Sequence, residues 1–117
     1  MLNISQNKRM GKMKVAIPVW KNRVAPLFDV CSVVKILDTN QQWAPAKTLE
    51  LKRSSVGQRL SALYDAGVEV VVCNGISLFL KCCLQSRSIL VFCDQDGSEK
   101  EVIRRIKDEL QLINEQM

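Results

Sequence analysis

The sequence predicts an α/β domain built on a five-stranded mixed sheet with three helices packed against it. Three observations lead there. Residues 15–51 hold three short β-branched or apolar runs in succession, whereas residues 55–113 alternate between segments of helical and strand period. The run at residues 68–73, Val-Glu-Val-Val-Val-Cys, is apolar at all but one position, as expected of a strand covered on both faces. The 117 residues, 47% hydrophobic and 25% charged, suit a single compact domain whose core needs neither a metal nor a disulfide.

The first strand is residues 15–19, ending at Trp20. Residues 21–29 read as a loop, because Asn22 favours turns and Pro26 disfavours helix at the residue before it. The second strand covers residues 30–37 and closes at the turn formers Asp38-Thr39-Asn40. Residues 43–51 form a weaker third strand, which Pro45 places on an edge. The first helix opens on a capping box of Ser55 with Gln58, turns Val56, Leu60, Leu63 and Tyr64 to one face, and closes at Gly67. The fourth strand is residues 68–73. Ser77 then caps a helix running to about Gln85, with Ile76, Phe79, Leu80, Cys83 and Leu84 as its apolar face and Cys82 at its margin. The fifth strand is residues 89–93. Ser98 with Glu101 forms a second capping box that opens the last helix, whose stripe is Val102, Ile103, Ile106, Leu110 and Ile113.

Right-handed crossovers make the fourth and fifth strands parallel to each other and to the first, and short connections make the second antiparallel to the first. A sheet ordered 3-2-1-4-5 satisfies these rules, and this is the ribonuclease H-like arrangement. Its carboxyl edge gathers the 20–29 loop, Cys31, the 73–77 turn and the 93–98 turn. Ligands of open α/β sheets bind at such edges, where helix N-termini favour anions.

Charge and cysteine usage narrow the function. The net charge is +5, but Lys8, Arg9, Lys12 and Lys14 lie in an acid-free stretch of 14 residues, which leaves the remainder at +1. Residues 1–12 read as a basic, disordered leader and residues 13–117 as the single domain, so a nucleic-acid partner is disfavoured. No apolar run is long enough to span a bilayer or form a signal-peptide core, and the expected location is the cytoplasm. The chain has no histidine, which removes Ser-His-Asp and Cys-His catalysis and imidazole ligation. Residues 14–20 contain no acid, which excludes a two-metal nuclease on this fold.

Five cysteines without zinc-ribbon or C-x-x-C spacing indicate no disulfide framework. Cys31, Cys73 and Cys93 converge on the carboxyl edge, where they are either buried packing residues or soft contacts for an iron, copper(I) or iron–sulfur species. Arg23 pairs either with a bound anion or with Asp29. Trp20 and Phe28 bracket the first loop as covers for the core, and Asp94 and Asp96 read as a solvated turn.

The segments Val-Ala-Ile-Pro-Val-Trp (15–20), Arg-Val-Ala-Pro-Leu-Phe-Asp (23–29) and Gly-Val-Glu-Val-Val-Val-Cys-Asn-Gly-Ile-Ser (67–77) resemble the dinitrogenase iron-molybdenum cofactor biosynthesis family. The resemblance covers residues 13–114. It implies a non-enzymatic domain that binds or carries an iron–sulfur or iron-molybdenum cofactor or precursor, with metal-cluster donor and acceptor proteins as partners. It places the loop motif at Arg23, Pro26, Phe28 and Asp29, the strand-turn-helix motif at Cys73, Asn74, Gly75 and Ser77, and a later cysteine and glycine at Cys93 and Gly97. Cofactor contacts are expected from Arg23, Asn74, Gly75, Ser77, Gly97 and Ser98, and metal contacts from Cys31, Cys73 and Cys93. The sequence departs from the family in Asn74, where glycine is common, in lacking histidine, and in the adjacent pair Cys82-Cys83. The alternative is a ligand-free interaction or regulatory module on the same fold.

Overall fold

The computed structural model describes residues 13–116. The basic leader expected at residues 1–12 lies outside the described residues. Six strands and three α-helices follow in the order β1 (Lys14–Trp20), β2 (Arg23–Val24), β3 (Val33–Asp38), β4 (Ala44–Glu50), α1 (Val56–Asp65), β5 (Val70–Val72), α2 (Leu78–Ser86), β6 (Leu90–Phe92) and α3 (Glu99–Gln116). The sheet runs β4-β3-β1-β5-β6, and β2 pairs with β1 off this path. The β1–β3 and β3–β4 pairs are antiparallel, whereas β1–β5 and β5–β6 are parallel.

Side-chain alternation divides the core into two layers. On one face Ala16, Val34, Ile36 and Val71 pack against Leu63 of α1 and against Leu80 and Leu84 of α2. On the other, Val15, Ile17, Leu37, Val70 and Val72 meet Val102, Ile106 and Leu110 of α3. Strand β5 is apolar throughout because both its faces are covered. The β4 edge carries Pro45 beside a register shift, where its missing N–H removes no central ladder bond.

The Ser55 and Ser77 caps have the geometry expected of their sequences, whereas the capping box expected at Ser98 is only half formed. Ser55 Oγ accepts from the Gln58 N–H at 3.1 Å while Gln58 Oε1 accepts from the Ser55 N–H at 2.8 Å. Gly67 takes φ +74°, closing α1 in the left-handed region. Ser77 Oγ accepts from the Leu80 N–H at 3.2 Å. Ser98 Oγ accepts from the Glu101 N–H at 3.2 Å, but the Glu101 carboxylate returns to the Ser98 hydroxyl.

Several expectations need correction. The segment read as a loop after Trp20 contains β2, because Lys21 and Asn22, at φ 52° and 66°, form a two-residue hairpin that pairs Trp20 with Arg23. The second strand starts at Val33, because Phe28–Val30 winds into a 3-10 turn and Cys31 lies in the connector. Val56 and Phe79 face water, and Cys83 is only half-buried. The buried positions of α1 are Leu63 and, unexpectedly, Arg59.

Candidate functional site

The 25–31 connector lies beside the carboxyl end of β1, with which it lines a cleft, and beside the turn after β5, to which the residues following β6 are also bonded. The connector is fixed by backbone bonds: the Gly75 N–H donates to the Pro26 carbonyl at 2.9 Å and the Phe28 N–H donates to the Gly75 carbonyl at 2.8 Å. A Cβ at Gly75 would stand 2.7 Å from Pro26 O, so glycine is what allows this approach. Phe28 is fully buried, anchoring the connector in the core. Asp29 turns back, its Oδ1 accepting from the Ser77 N–H at 2.8 Å, so a carboxylate already occupies a donor at the opening of α2.

Cys31, Cys73 and Cys93 are all free thiols. Cys73 is sealed in the core, and its thiol is pushed up to about 12, by burial above all and then by charge on Cys93, Cys31, Asp29 and Asp94. Burial also raises the Cys31 thiol, opposed by the charge and hydrogen bond of Arg59. Arg59 Nη1 donates to the Cys31 carbonyl at 2.7 Å and lies 3.6 Å from its sulfur, while the buried Nε has no partner. Cys93 is half-buried, with Lys81 Nζ 3.6 Å from its sulfur. Among the described residues, no three His, Cys, Asp or Glu side chains stand close enough to hold one metal ion. The three thiols share an edge without forming a ready-made chelate.

The remaining residues singled out by sequence take mainly backbone and surface roles. Arg23 reaches Asp96 Oδ1 at 3.4 Å in an exposed pair; Asp29, one of its two expected partners, is committed to Ser77. Gly97, at φ +133°, presents its carbonyl to the Val24 N–H at 3.0 Å, and Ser98 bridges to Arg23. Asn74 accepts from the Asp94 N–H at 2.9 Å through its carbonyl. Trp20 is 58% exposed and stacks under Lys21, so it covers no core. It borders instead a cleft of about 340 Å³ lined chiefly by apolar residues, among them Pro26, Leu27, Val30 and Cys31.

Sequence reasoning missed Arg59 and Lys81. Arg59 occupies the core side of α1 four residues before Leu63, but a long cation in a helix is ordinarily solvated, so its burial has no local signature. Lys81 becomes noticeable only when α2 is laid beside β6.

No family model matches the sequence, and no curated protein matches it. Solved structures match it in fold. The apo form of the orange protein from Desulfovibrio gigas superposes with a TM-score of 0.69 at 16% identity, over 84% of this chain and 89% of that one. A candidate NifB protein from Thermotoga gives 0.68 at 20% identity, over 82% and 88%. A candidate dinitrogenase from Methanocaldococcus jannaschii gives 0.53 at 19% identity, over 89% of each chain. At such identities the likeness establishes a common architecture: this chain shares the mixed-sheet α/β fold of these proteins.

Proposed function

We propose that this chain is a ribonuclease H-like, non-enzymatic domain that binds or carries an iron–sulfur or iron-molybdenum cofactor, or a precursor, between donor and acceptor proteins. The observation that carries the reading is the position of Cys73 and Cys93 just beyond the carboxyl ends of β5 and β6, beside the opening of α2. Thiolate sulfur is a soft donor suited to such cargo. The resemblance of the Arg23–Asp29 and Cys73–Ser77 motifs to the cofactor biosynthesis family supports the same cargo class. Two of the structures sharing the fold bear dinitrogenase or NifB descriptions, which points the same way.

In this reading Cys93 makes the first contact, since it is the least buried of the three thiols, with Lys81 to balance negative charge. Cys31 would be reached through the cleft it lines. Cys73 would join only after local opening, because it is buried and held protonated. Arg23 is free to turn from its exposed pair towards an anion, and the backbone at Asn74, Gly75, Ser77, Gly97 and Ser98 supplies the surrounding turns.

A second reading, an interaction module without cargo, is favoured by the large apolar side chains left in water: Trp20, Leu27 and Val30 at the cleft, and Leu78 and Phe79 at the start of α2. Anaerobic reconstitution with iron and sulfide, followed by absorbance and metal analysis, separates the two. Stoichiometric loading that falls in Cys73→Ser and Cys93→Ser supports the carrier. Folded protein with no loading refutes it and favours the interaction module, and loading indifferent to the cysteines refutes the thiol contacts on which the reading rests.

A further inference from the structure

Strands β5 and β6 are parallel and in register, pairing Val70 with Leu90, Val71 with Val91 and Val72 with Phe92. The ladder continues one step further, because the Cys73 N–H donates to the Phe92 carbonyl at 2.9 Å. Cys73 therefore stands opposite Cys93. Paired residues of parallel strands point to the same face, and both cysteines pack on the core layer that holds Val71 and Val91. Neighbouring strands lie about 4.8 Å apart. A disulfide spans Cα separations of roughly 4.4–6.8 Å, so the spacing of neighbouring strands falls within the range that the bond bridges.

The other thiols are poorer partners. Cys31 is tied to Arg59 in the connector, and Cys82 and Cys83 are consecutive helical residues that point about 100° apart. The two aligned thiols also differ in access: Cys73 is sealed, whereas Cys93 is half-buried, between the Lys81 ammonium at 3.6 Å and the Asp94 carboxylate at 3.8 Å.

We propose that Cys73 and Cys93 are a redox pair that closes reversibly into a disulfide across β5 and β6 by exchange with low-molecular-weight disulfides. The thiolate of Cys93 attacks one sulfur of the external disulfide, forming a mixed disulfide and expelling one external thiolate, which takes up a proton. When the strand ends open locally, Cys73 gives up its proton and attacks the Cys93 sulfur, expelling the second external thiolate, which takes up that proton. Two protein thiols are oxidised by two electrons, and the external disulfide is reduced to two thiols. The closed form clamps the strand ends and removes two soft donors from the edge. This goes beyond the cargo reading and holds for protein without metal.

The test is incubation of the full, metal-free chain with oxidised glutathione, followed by alkylation and tryptic mapping. Trypsin separates the thiols cleanly: residues 60–81 contain Cys73, residues 82–87 contain Cys82 and Cys83, and residues 88–100 contain Cys93. The expected product links 60–81 to 88–100 with the loss of two hydrogens and reopens with dithiothreitol. Cys93→Ser should abolish the link and slow the loss of free thiol at Cys73 at least about tenfold relative to the wild type, since the buried thiol then has no mixed disulfide beside it to attack. Cys73→Ser should trap glutathione on Cys93. A lasting adduct on wild-type Cys93 with no linked peptide, or linkage through 82–87 instead, overturns the proposal. Should Cys73→Ser fail to fold, the wild type and Cys93→Ser decide the matter alone.

Discussion

Replacing Gly75 by alanine sets a methyl carbon 2.7 Å from the Pro26 carbonyl oxygen, a separation that real Cβ atoms do not tolerate. The backbone cannot simply step aside. Gly75 donates to Pro26 at 2.9 Å and accepts from Phe28 at 2.8 Å, so relief means parting the connector from the turn and straining both bonds. Each bond contributes on the order of 1 kcal/mol net, and leaving a buried partner unsatisfied costs about 1–3 kcal/mol. The same movement disturbs Phe28, which is fully buried. Gly75→Ala should therefore destabilise the fold by roughly 2–4 kcal/mol. That lowers the melting temperature by about 10–20 °C for a domain of this size. Urea unfolding followed by circular dichroism measures it, with the slope unchanged and the midpoint reduced. Gly57 provides the internal contrast: it lies in α1 with nothing within 4 Å of an added Cβ. Gly57→Ala should be neutral or stabilise by up to about 1 kcal/mol through helix propensity. A Gly75→Ala midpoint within error of wild type would refute the close-approach argument.

Two further outcomes follow from the edge. Cys73 has an ordinary value of 9.0 and is pushed up to about 12 in the fold, so the folded chain holds its proton where the unfolded chain releases it. Its contribution is complete below pH 9 and is lost as pH rises towards 12, at up to about 1.4 kcal/mol per pH unit. Cys73→Ala should flatten alkaline destabilisation in this window, measured as the difference in urea midpoint from wild type between pH 9 and 10.5; equal slopes would count against it. Asp29→Ala removes the acceptor for the Ser77 N–H at the opening of α2 and should cost about 1–2 kcal/mol. Asp29→Asn, which keeps an acceptor oxygen, should recover part of that loss in the same unfolding assay.

Periodicity, caps and strand composition determined the α/β class and the helix positions. The Ser55–Gln58 box, Gly67 at the end of α1 and the α3 stripe of Val102, Ile106 and Leu110 are encoded within a few residues, and each has the expected geometry. Such features depend on local dihedrals and spacing, which a sequence displays directly. Tertiary structure alone decided which side chains meet at the edge. Strand β2 exists because Lys21 and Asn22 adopt left-handed φ values between pairing partners, without the Asn-Gly signal of a tight hairpin. Arg59 is buried where the Cys31 carbonyl, 28 residues away, accepts a hydrogen bond from its guanidinium. Arg23 meets Asp96 because Ser98 bridges to β2. The alignment of Cys73 with Cys93 depends on the register of two parallel strands joined through a helix, and the packing of that crossover sets the register. Composition counts thiols, but only folding decides which of them become neighbours.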